Sequence, residues 1–418
     1  MALANHPSLQ AAAAGVKSAN ARTSEARGAL LPRVSYTEQW QRSNNPVYVF
    51  GSLLNQRQFE AQNFQLGFLN HPPFVDHFQS LVTAEQTLYD HGLRKSHIKA
   101  AELGEKVSSE EARGSELSVI AGALQAYYAA VLAQANVEVA AAAVRSAEAD
   151  LKRAEDRRGA GLTTDADVLS IRVHVAAVRE QQIARQGDLE LARAALNAAM
   201  GVPLETPFTL VTSLAAAKVE SEGGLGAIET DAAANRPETR LARLQTEIRG
   251  EQTKAARSAL APEAFVRGGF EADRGNFVNG GANWMVSAGL RWNLFDGFSK
   301  QARIAQANHE SEKARALEQQ AVTSAQLSAR SAWLALRTAN EQIEVAKAAA
   351  DLAQESLRVI RNRYEAGLTE VTELLRAENA LLDAQTRALE ALANQRVAAV
   401  ALEAARGRLT QDSDVVNH

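Results

Sequence analysis

Any chemistry in this sequence would have to come from histidine and carboxylate side chains, because its 418 residues include eight histidines and no cysteine. Without thiols there is no disulfide framework, no thiolate zinc site and no cysteine nucleophile, and the lack of cysteine suits an oxidising compartment. His71 and His77 are six residues apart, as are His91 and His97. Paired metal ligands on a helix share a face, and a six-residue step does not put them there. Neither a G-x-S-x-G elbow nor a P-loop occurs. "GAGLTT" at residues 159–164 has the look of part of a dinucleotide loop, but it follows a helical stretch where that loop follows a strand. The carboxylates lie among arginines and lysines on helical segments, where solvated ion pairs are the default. The reading is a protein with no catalytic residues, no cofactor and no metal.

Aromatic residues make up only 5% of the chain, and Ala, Glu, Arg, Leu and Gln dominate, a mix that favours long helices. A net charge of −4 gives no electrostatic reason to expect nucleic acid. No apolar run of about 18 residues predicts a transmembrane helix. The chain opens abruptly on "MALANHPSLQ", with no basic and apolar leader, as a processed or truncated start would.

Two steps interrupt the helical composition in the same way. "GAGLTTDADVL" at 159–169 and "EAGLTEVTELL" at 365–375 place Gly161 and Gly367 206 residues apart, and "LYDHG" (Leu88 to Gly92) and "LFDGF" (Leu294 to Phe298) keep that offset. "ANHPSLQ" (Asn5, Pro7) and "ANRPETR" (Asn235, Pro237) are 230 apart, as are "ALLPRV" around Pro32 and "ALAPEA" around Pro262. The loss of 24 residues between those offsets gives the first copy the longer loop between its proline and its aspartate. Such self-similarity predicts two copies of one unit, 1–222 and 223–418. In the first, a helix over residues 4–31 ends at Pro32. Strands follow at about 33–42 and 77–90, then a long helix 92–158, a tip 159–164, a return helix 164–200 and a linker 201–222. The second has a helix at about 225–261, strands 263–272 and 284–295, a long helix 297–366, a tip 366–369 and a return helix 370–409.

The long helix carries a 4-3 seam through Leu103, Val107, Gly114, Leu117, Ala121, Leu124, Tyr128, Val131 and Ala135, with only Glu110 out of character, which is coiled-coil spacing with a small-residue core. In the last helix Leu368, Leu375, Leu382 and Leu389 recur every seven residues. A helix of about 65 residues at ~1.5 Å each is roughly 100 Å long, and its return helix covers about 55 Å. The preceding helix, roughly 40 Å, supplies the remainder if it stacks end to end on the return helix. At the tips, Gly161 and Gly367 can adopt the left-handed conformation that ends a helix, and Thr163 and Thr369, with Asp165 or Glu370 beside them, start the next one.

"WMVSAGLRWNLFD" alternates, with Trp284, Val286, Ala288, Leu290, Trp292 and Leu294 on one face and Met285, Ser287, Gly289, Arg291 and Asn293 on the other. Tryptophans near both ends of an apolar face match a lipid-facing barrel strand, so Trp284, Val286, Leu290 and Trp292 are assigned to lipid. "RVSYTEQWQ" and "FQSLVTAEQTLY" alternate less cleanly, with Glu38 intruding on one face. Four strands cannot close a barrel, so two or three chains must share one. The long loop "NNPVYVFGSLLNQRQFEAQNFQLGFLNHPPF" is rich in Phe and is expected to pack on itself at the outer end.

The plan of helix, two strands, long helix, Gly-Leu-Thr tip and return helix, said twice, resembles the TolC family of outer-membrane efflux proteins. "ANHPSLQAA", "ALLPRVSY", "NPVYVFGSLLNQR", "NRPE", "WNLFDG" and "YEAGLTEVTELL" carry the likeness over nearly the whole chain. It implies a mainly α fold with a membrane β-barrel part. A homotrimer would share a 12-stranded barrel in the outer membrane, continued by a coiled-coil tunnel in the periplasm. It further implies the exit duct of a tripartite efflux or type I secretion system, passing small molecules or proteins. Its partners would be outer-membrane lipid, a periplasmic adaptor (membrane fusion) protein and, mainly through the adaptor, an inner-membrane pump. The alternative is a periplasmic adaptor or other coiled-coil scaffold without a pore; an adaptor would need one hairpin and several small β-domains. Carried over by position, Gly161, Leu162, Thr163, Gly367, Leu368 and Thr369 would dock the adaptor. Tyr364 and Asp167 match latch positions of the family's periplasmic gate, and Glu373 keeps its acidic ring. Arg376 stands where a second acid is usual, and Thr369 replaces a basic latch residue, which implies a weaker latch.

Overall fold

In a computed structural model, residues 2–212, 214, 224–276 and 280–413 are described. In chain order the elements are α1 (Ala2–Asn5), α2 (Pro7–Gly28), β1 (Arg33–Ser43), α3 (Pro46–Asn55), α4 (Leu66–Asn70), β2 (Val75–Tyr89), α5 (Leu93–Gly159) and α6 (Asp165–Met200). There follow α7 (Leu225–Asn235), α8 (Pro237–Ser258), β3 (Glu263–Arg274), β4 (Gly280–Arg291), α9 (Ser299–Glu365) and α10 (Val371–Arg406). The chain forms two compact units and passes between them within α2, α5, α8 and α9.

One unit, residues 17–106 and 244–315, holds an antiparallel sheet in the order β1-β2-β3-β4. Its helical segments pack through matching contacts: Thr23 Oγ1 donates to Ala101 O, and Thr253 Oγ1 donates to Ala307 O, each at about the limit of a good bond. The strand-to-helix elbows match too. His91 and Gly92 take positive φ beside Asp90, as Gly297 and Phe298 do beside Asp296. Asp90 accepts from the Arg94 backbone and Asp296 from the Lys300 backbone, so each aspartate satisfies a free N–H of the first helical turn.

The other unit, residues 2–16, 107–243 and 316–413 of the described chain, is helical. α6 and α10 each end on a left-handed glycine, Gly201 and Gly407, both at φ 70°. A Cβ at Gly201 would lie 2.8 Å from His6 Cα, and one at Gly407 would lie 2.8 Å from the Asn235 backbone. Each return helix therefore abuts a helix break set by a proline, Pro7 or Pro237. The proline forces extended backbone on the residue before it; Arg236 has ψ 137°. The helix expected over 225–261 is thus two helices, α7 and α8. The seam residue Gly114 lets Pro237 approach, at 3.4 Å from where its Cβ would be.

Three further expectations are corrected. The caps that start α6 and α10 are Thr164 and Glu370, one residue beyond Thr163 and Thr369. Strand β4 stops at Arg291, so Trp292 and Leu294 follow the strand. There the Trp292 indole donates to Leu260 O (3.0 Å) and Lys300 Nζ donates to Asn293 O (2.6 Å), drawing the chain out of the ladder. One stretch of α5 reaches a mean hydropathy of 1.4 over 18 residues, against the expectation of none. It belongs to a 67-residue helix that buries Ile120 and Tyr128 against Val400 and Leu409.

Candidate channel wall and gate

Side chains alternate across a strand, so the pairing register decides which residues share a face. Arg33 pairs with Glu85, Glu85 with Arg267 and Arg267 with Ser287. That row is hydrophilic, and Ser35, Thr83, Gln79 and Glu271 share its parity, with Leu81, Phe265 and Met285 as large apolar side chains among them. Arg267 pairs with Glu85 across the strands, Arg291 with Glu263 at 3.4 Å, and Ser35 Oγ lies 2.6 Å from Thr83 Oγ1. The opposite parity aligns Tyr36 with Val82, Val82 with Phe270, and Phe270 with Trp284. On this face Trp284 is 79% exposed, Val286 67% and Leu290 75%. Two carboxylates share it: Tyr36 Oη and Ser80 Oγ both donate to Glu38, with Arg274 beyond Ser80, and Trp40 Nε1 donates to Asp76 at the end of β2, which Arg42 faces. One face is dry and the other wet, as in a sheet standing between lipid and an aqueous lumen. Among the described residues no strand pairs with the outer edges of β1 and β4. Trp292, beyond the strand, is not part of this face.

At the hairpin tips the backbone turns by the same device twice. The Gly161 and Leu162 N–H groups donate to Arg158 O and Arg157 O; those of Gly367 and Leu368 donate to Tyr364 O and Arg363 O. These are Schellman closures, and they leave Leu162 and Leu368 about two-thirds exposed. Asp167 closes a capping box. Its carboxylate accepts from Thr164 N (3.2 Å), Thr164 Oγ1 (2.9 Å) and Thr163 Oγ1 (2.9 Å). Partial burial disfavours its charge, but these threonine donors outweigh that and hold its pKa below the usual range. Within the chain Asp167 thus serves its own helix, and Tyr364 is joined instead to Arg157. The Arg157 guanidinium lies 5.9 Å over the buried Tyr364 ring and donates to Glu365 O. Arg153 Nε reaches Glu365 at 3.3 Å. Glu373 and Arg376 form an exposed pair with each other at 2.6 Å.

A buried charge cluster higher on the same helices escaped sequence reading. Glu378 of α10 lies 3.0 Å from His174 Nε2 of α6 and 3.1 Å from Arg361 Nη2 of α9. The same Arg361 nitrogen donates to Ser146 Oγ (2.7 Å) and Asp150 Oδ2 (3.1 Å) of α5, and Arg153 pairs with the other Asp150 oxygen. Burial raises Asp150, the adjacent Glu378 carboxylate adds to that, and its pKa stands at about 6 despite Arg361. Burial opposes charge on Glu378 as well, but bonds from His174 and Asp150 and the His174 and Arg361 charges bring it to about 2. The signal in the sequence is Asp150 on the buried stripe Val144–Ala147–Ala154, where an apolar residue belongs.

A sheet with one dry and one wet face together with long paired helices is the combination that comparison with known proteins resolves. The family described as "Outer membrane efflux protein" matches residues 1–202 and 230–408. The chain belongs to this family. It is 29% identical over 333 residues to protein CyaE of Bordetella pertussis, covering 78% of this chain and 70% of CyaE. It is 27% identical over 207 residues to the alkaline protease secretion protein AprF of Pseudomonas aeruginosa, covering 49% of this chain and 40% of AprF. Among solved structures, CusC superposes with a TM-score of 0.83 at 19% identity over 97% of this chain and 90% of CusC. VceC of Vibrio cholerae superposes at 0.80, also at 19% identity, over 97% of this chain and 94% of VceC. The fold is therefore that of TolC-like channels. As an outer membrane efflux protein, the chain is a channel component whose strands lie in the outer membrane and whose helices stand in the periplasm. Adaptor and inner-membrane partners come with such systems.

Proposed function

We propose that three copies of this chain close one barrel of twelve strands and one helical duct, forming the exit component of a type I secretion system that passes polypeptides. The observation that carries this is the four-stranded sheet with two unpaired edges. In a membrane every backbone polar group must be paired, so an open sheet has to close with copies of itself. Because successive strands alternate in direction, β4 of one copy can pair with β1 of the next in the antiparallel sense already used inside the chain. The polypeptide cargo is supported by the likeness to CyaE and to AprF, the latter an alkaline protease secretion protein. The chain is a duplication of one unit, 1–222 and 223–418. It acts as a conduit, with chemistry left to the pump.

The periplasmic tips dock the adaptor, through Gly161, Leu162, Thr163, Gly367, Leu368 and Thr369. Two exposed leucines on turns closed by their own backbone bonds support this, since neither is needed to hold its hairpin. The duct closes near the same place, where Arg157 holds Tyr364 and Glu365, with Asp167, Glu373 and Arg376 alongside. The native mass in detergent tests the assembly: a trimer is expected, and a stable monomer or dimer with closed strands refutes it. Single cysteines at Leu162 and Leu368 test the docking in a chain free of other thiols. Cross-linking to the adaptor from mid-helix cysteines but from neither tip refutes it.

A further inference from the structure

We infer that residues 44–74 are an inward-folded lid that narrows the outer mouth of the barrel and limits the size of what passes there. The inference rests on the trimeric barrel proposed above. The segment joins the outer ends of β1 and β2, where a surface loop would be free to project into solvent. Instead it lies on the wet face of the sheet. Gln56 Nε2 donates to Asp76 O at 2.9 Å and sits 3.0 Å from His77 Nδ1, and the Tyr48 ring meets the His77 ring edge-on at 5.9 Å. His77 Nε2 in turn lies 3.0 Å from Asp273 Oδ1. His77 and Asp273 share the parity of Glu85 and Arg267, so they belong to the lumen side. Asp273 is fully buried and Gln56 nearly so, which a loop held away from the wall would not achieve.

The wall is cut to receive the segment. A Cβ at Gly281, on the same face of β4, would overlap Asn55 O, and one at Gly275 would lie 2.6 Å from Gln56 Oε1. Arg57 adopts a left-handed φ of 57°, rare for a side chain of its size, and donates to Ala282 O at 3.1 Å. The segment also has a core of its own. Phe59 stacks edge-on against Phe50 (4.8 Å) and Phe64 (5.0 Å), and α3 buries Val49, Ser52 and Leu53. It is a preformed body seated on the wall. Twelve strands about 4.7 Å apart and tilted ~40° make a barrel roughly 23 Å across. A helix seated on a wall takes up about 10 Å of a radius of about 12 Å, so three lids around the axis leave only a few ångströms. A folded or extended polypeptide cannot leave until the lids move.

The test reads the outer mouth alone, so that the periplasmic gate does not mask it. Ser287→Cys places one thiol on the wet face, seven residues inward from the start of β4, in a chain without cysteine. In intact cells a small impermeant maleimide should label it, whereas a maleimide on a 5-kDa polyethylene glycol should react at least ~10-fold more slowly. Gly281→Val, which wedges Asn55 off the wall, and replacement of residues 46–73 by a four-residue turn should each narrow the ratio of the two rates at least ~5-fold, the open barrel itself still slowing the larger reagent. Equal rates with the lid intact overturn the inference, and so does a ratio of rates that excision of the lid leaves unchanged. Assembly is read separately on the same cells as the heat-resistant trimer. Absence of the trimer from the Ser287→Cys chain refutes the barrel reading itself, while a trimer with equal rates refutes only the lid.

Discussion

Asp150→Asn should stabilise the protein more near pH 8 than near pH 5. Folded Asp150 titrates at about 6, against an ordinary 3.8. A carboxyl raised by folding contributes stability that is present below its unfolded pKa and is lost as pH rises through the folded one. Between about pH 4 and pH 6 the ionisation of Asp150 therefore takes away roughly 3 kcal/mol, at ~1.4 kcal/mol per unit. Near pH 5 about half of that loss has occurred, and near pH 8 all of it. Asparagine does not titrate, and its oxygen can still accept from Arg153 or Arg361. The gain from the variant should thus be greater near pH 8 than near pH 5, by on the order of 1 kcal/mol.

Glu378 has the opposite sign. Lowered to about 2 from 4.5, it contributes stability that is present above 4.5 and is lost as pH falls toward 2. It is ionised at both test conditions, so Glu378→Gln should cost stability at each by leaving Arg361 and His174 facing a weaker acceptor, and the cost should be smaller near pH 8, where the variant also relieves ionised Asp150 of its neighbouring carboxylate. The assay is urea-driven loss of helical ellipticity in detergent at the two pH values. An Asp150→Asn effect that is the same at both, or a loss that deepens near pH 8, refutes the reasoning.

Trp284→Asp and Leu290→Asp should each reduce trimer yield in membranes, since a charge facing mid-depth lipid costs about 2–4 kcal/mol; Ser287→Asp, opposite Arg267, should be tolerated. Gly201→Ala and Gly407→Ala, where a Cβ meets backbone, should lower the thermal midpoint clearly more than Gly161→Ala, which meets open space and bears only a left-handed cost of about 1–2 kcal/mol. Exchanging the charges of Glu155 and Arg172, an exposed pair at 2.7 Å, should change stability by less than about 1 kcal/mol in urea unfolding. Exchanging those of Arg361 and Glu378 should cost several times that, because it sets a carboxylate against buried Asp150 and a guanidinium against His174.

What the sequence makes legible here is punctuation and period. Pro32, Pro262, Gly161 and Gly367 act within a few residues of themselves, and the alternation around Trp284 names a face without reference to any other strand. What it hides depends on distance. Nothing near Trp292 announces that Leu260 will take its indole hydrogen, and nothing in a phenylalanine-rich loop says which side of a sheet it will choose. Arg361 and Asp150 are 211 residues apart in sequence. The duplication shows how such a site can arise. Counted back by 206, Arg361 and Glu378 fall on Glu155 and Arg172, the same rung between long and return helix with its charges reversed. In the first hairpin that rung is exposed and bound only to itself. In the second it turns inward, where the first hairpin supplies Asp150 and His174. The images of those two residues are Ser356 and Ala380, which carry no charge, so the cluster can form only once. Two copies of one unit thus share their joints, and they differ at the rung where one hairpin grips the other.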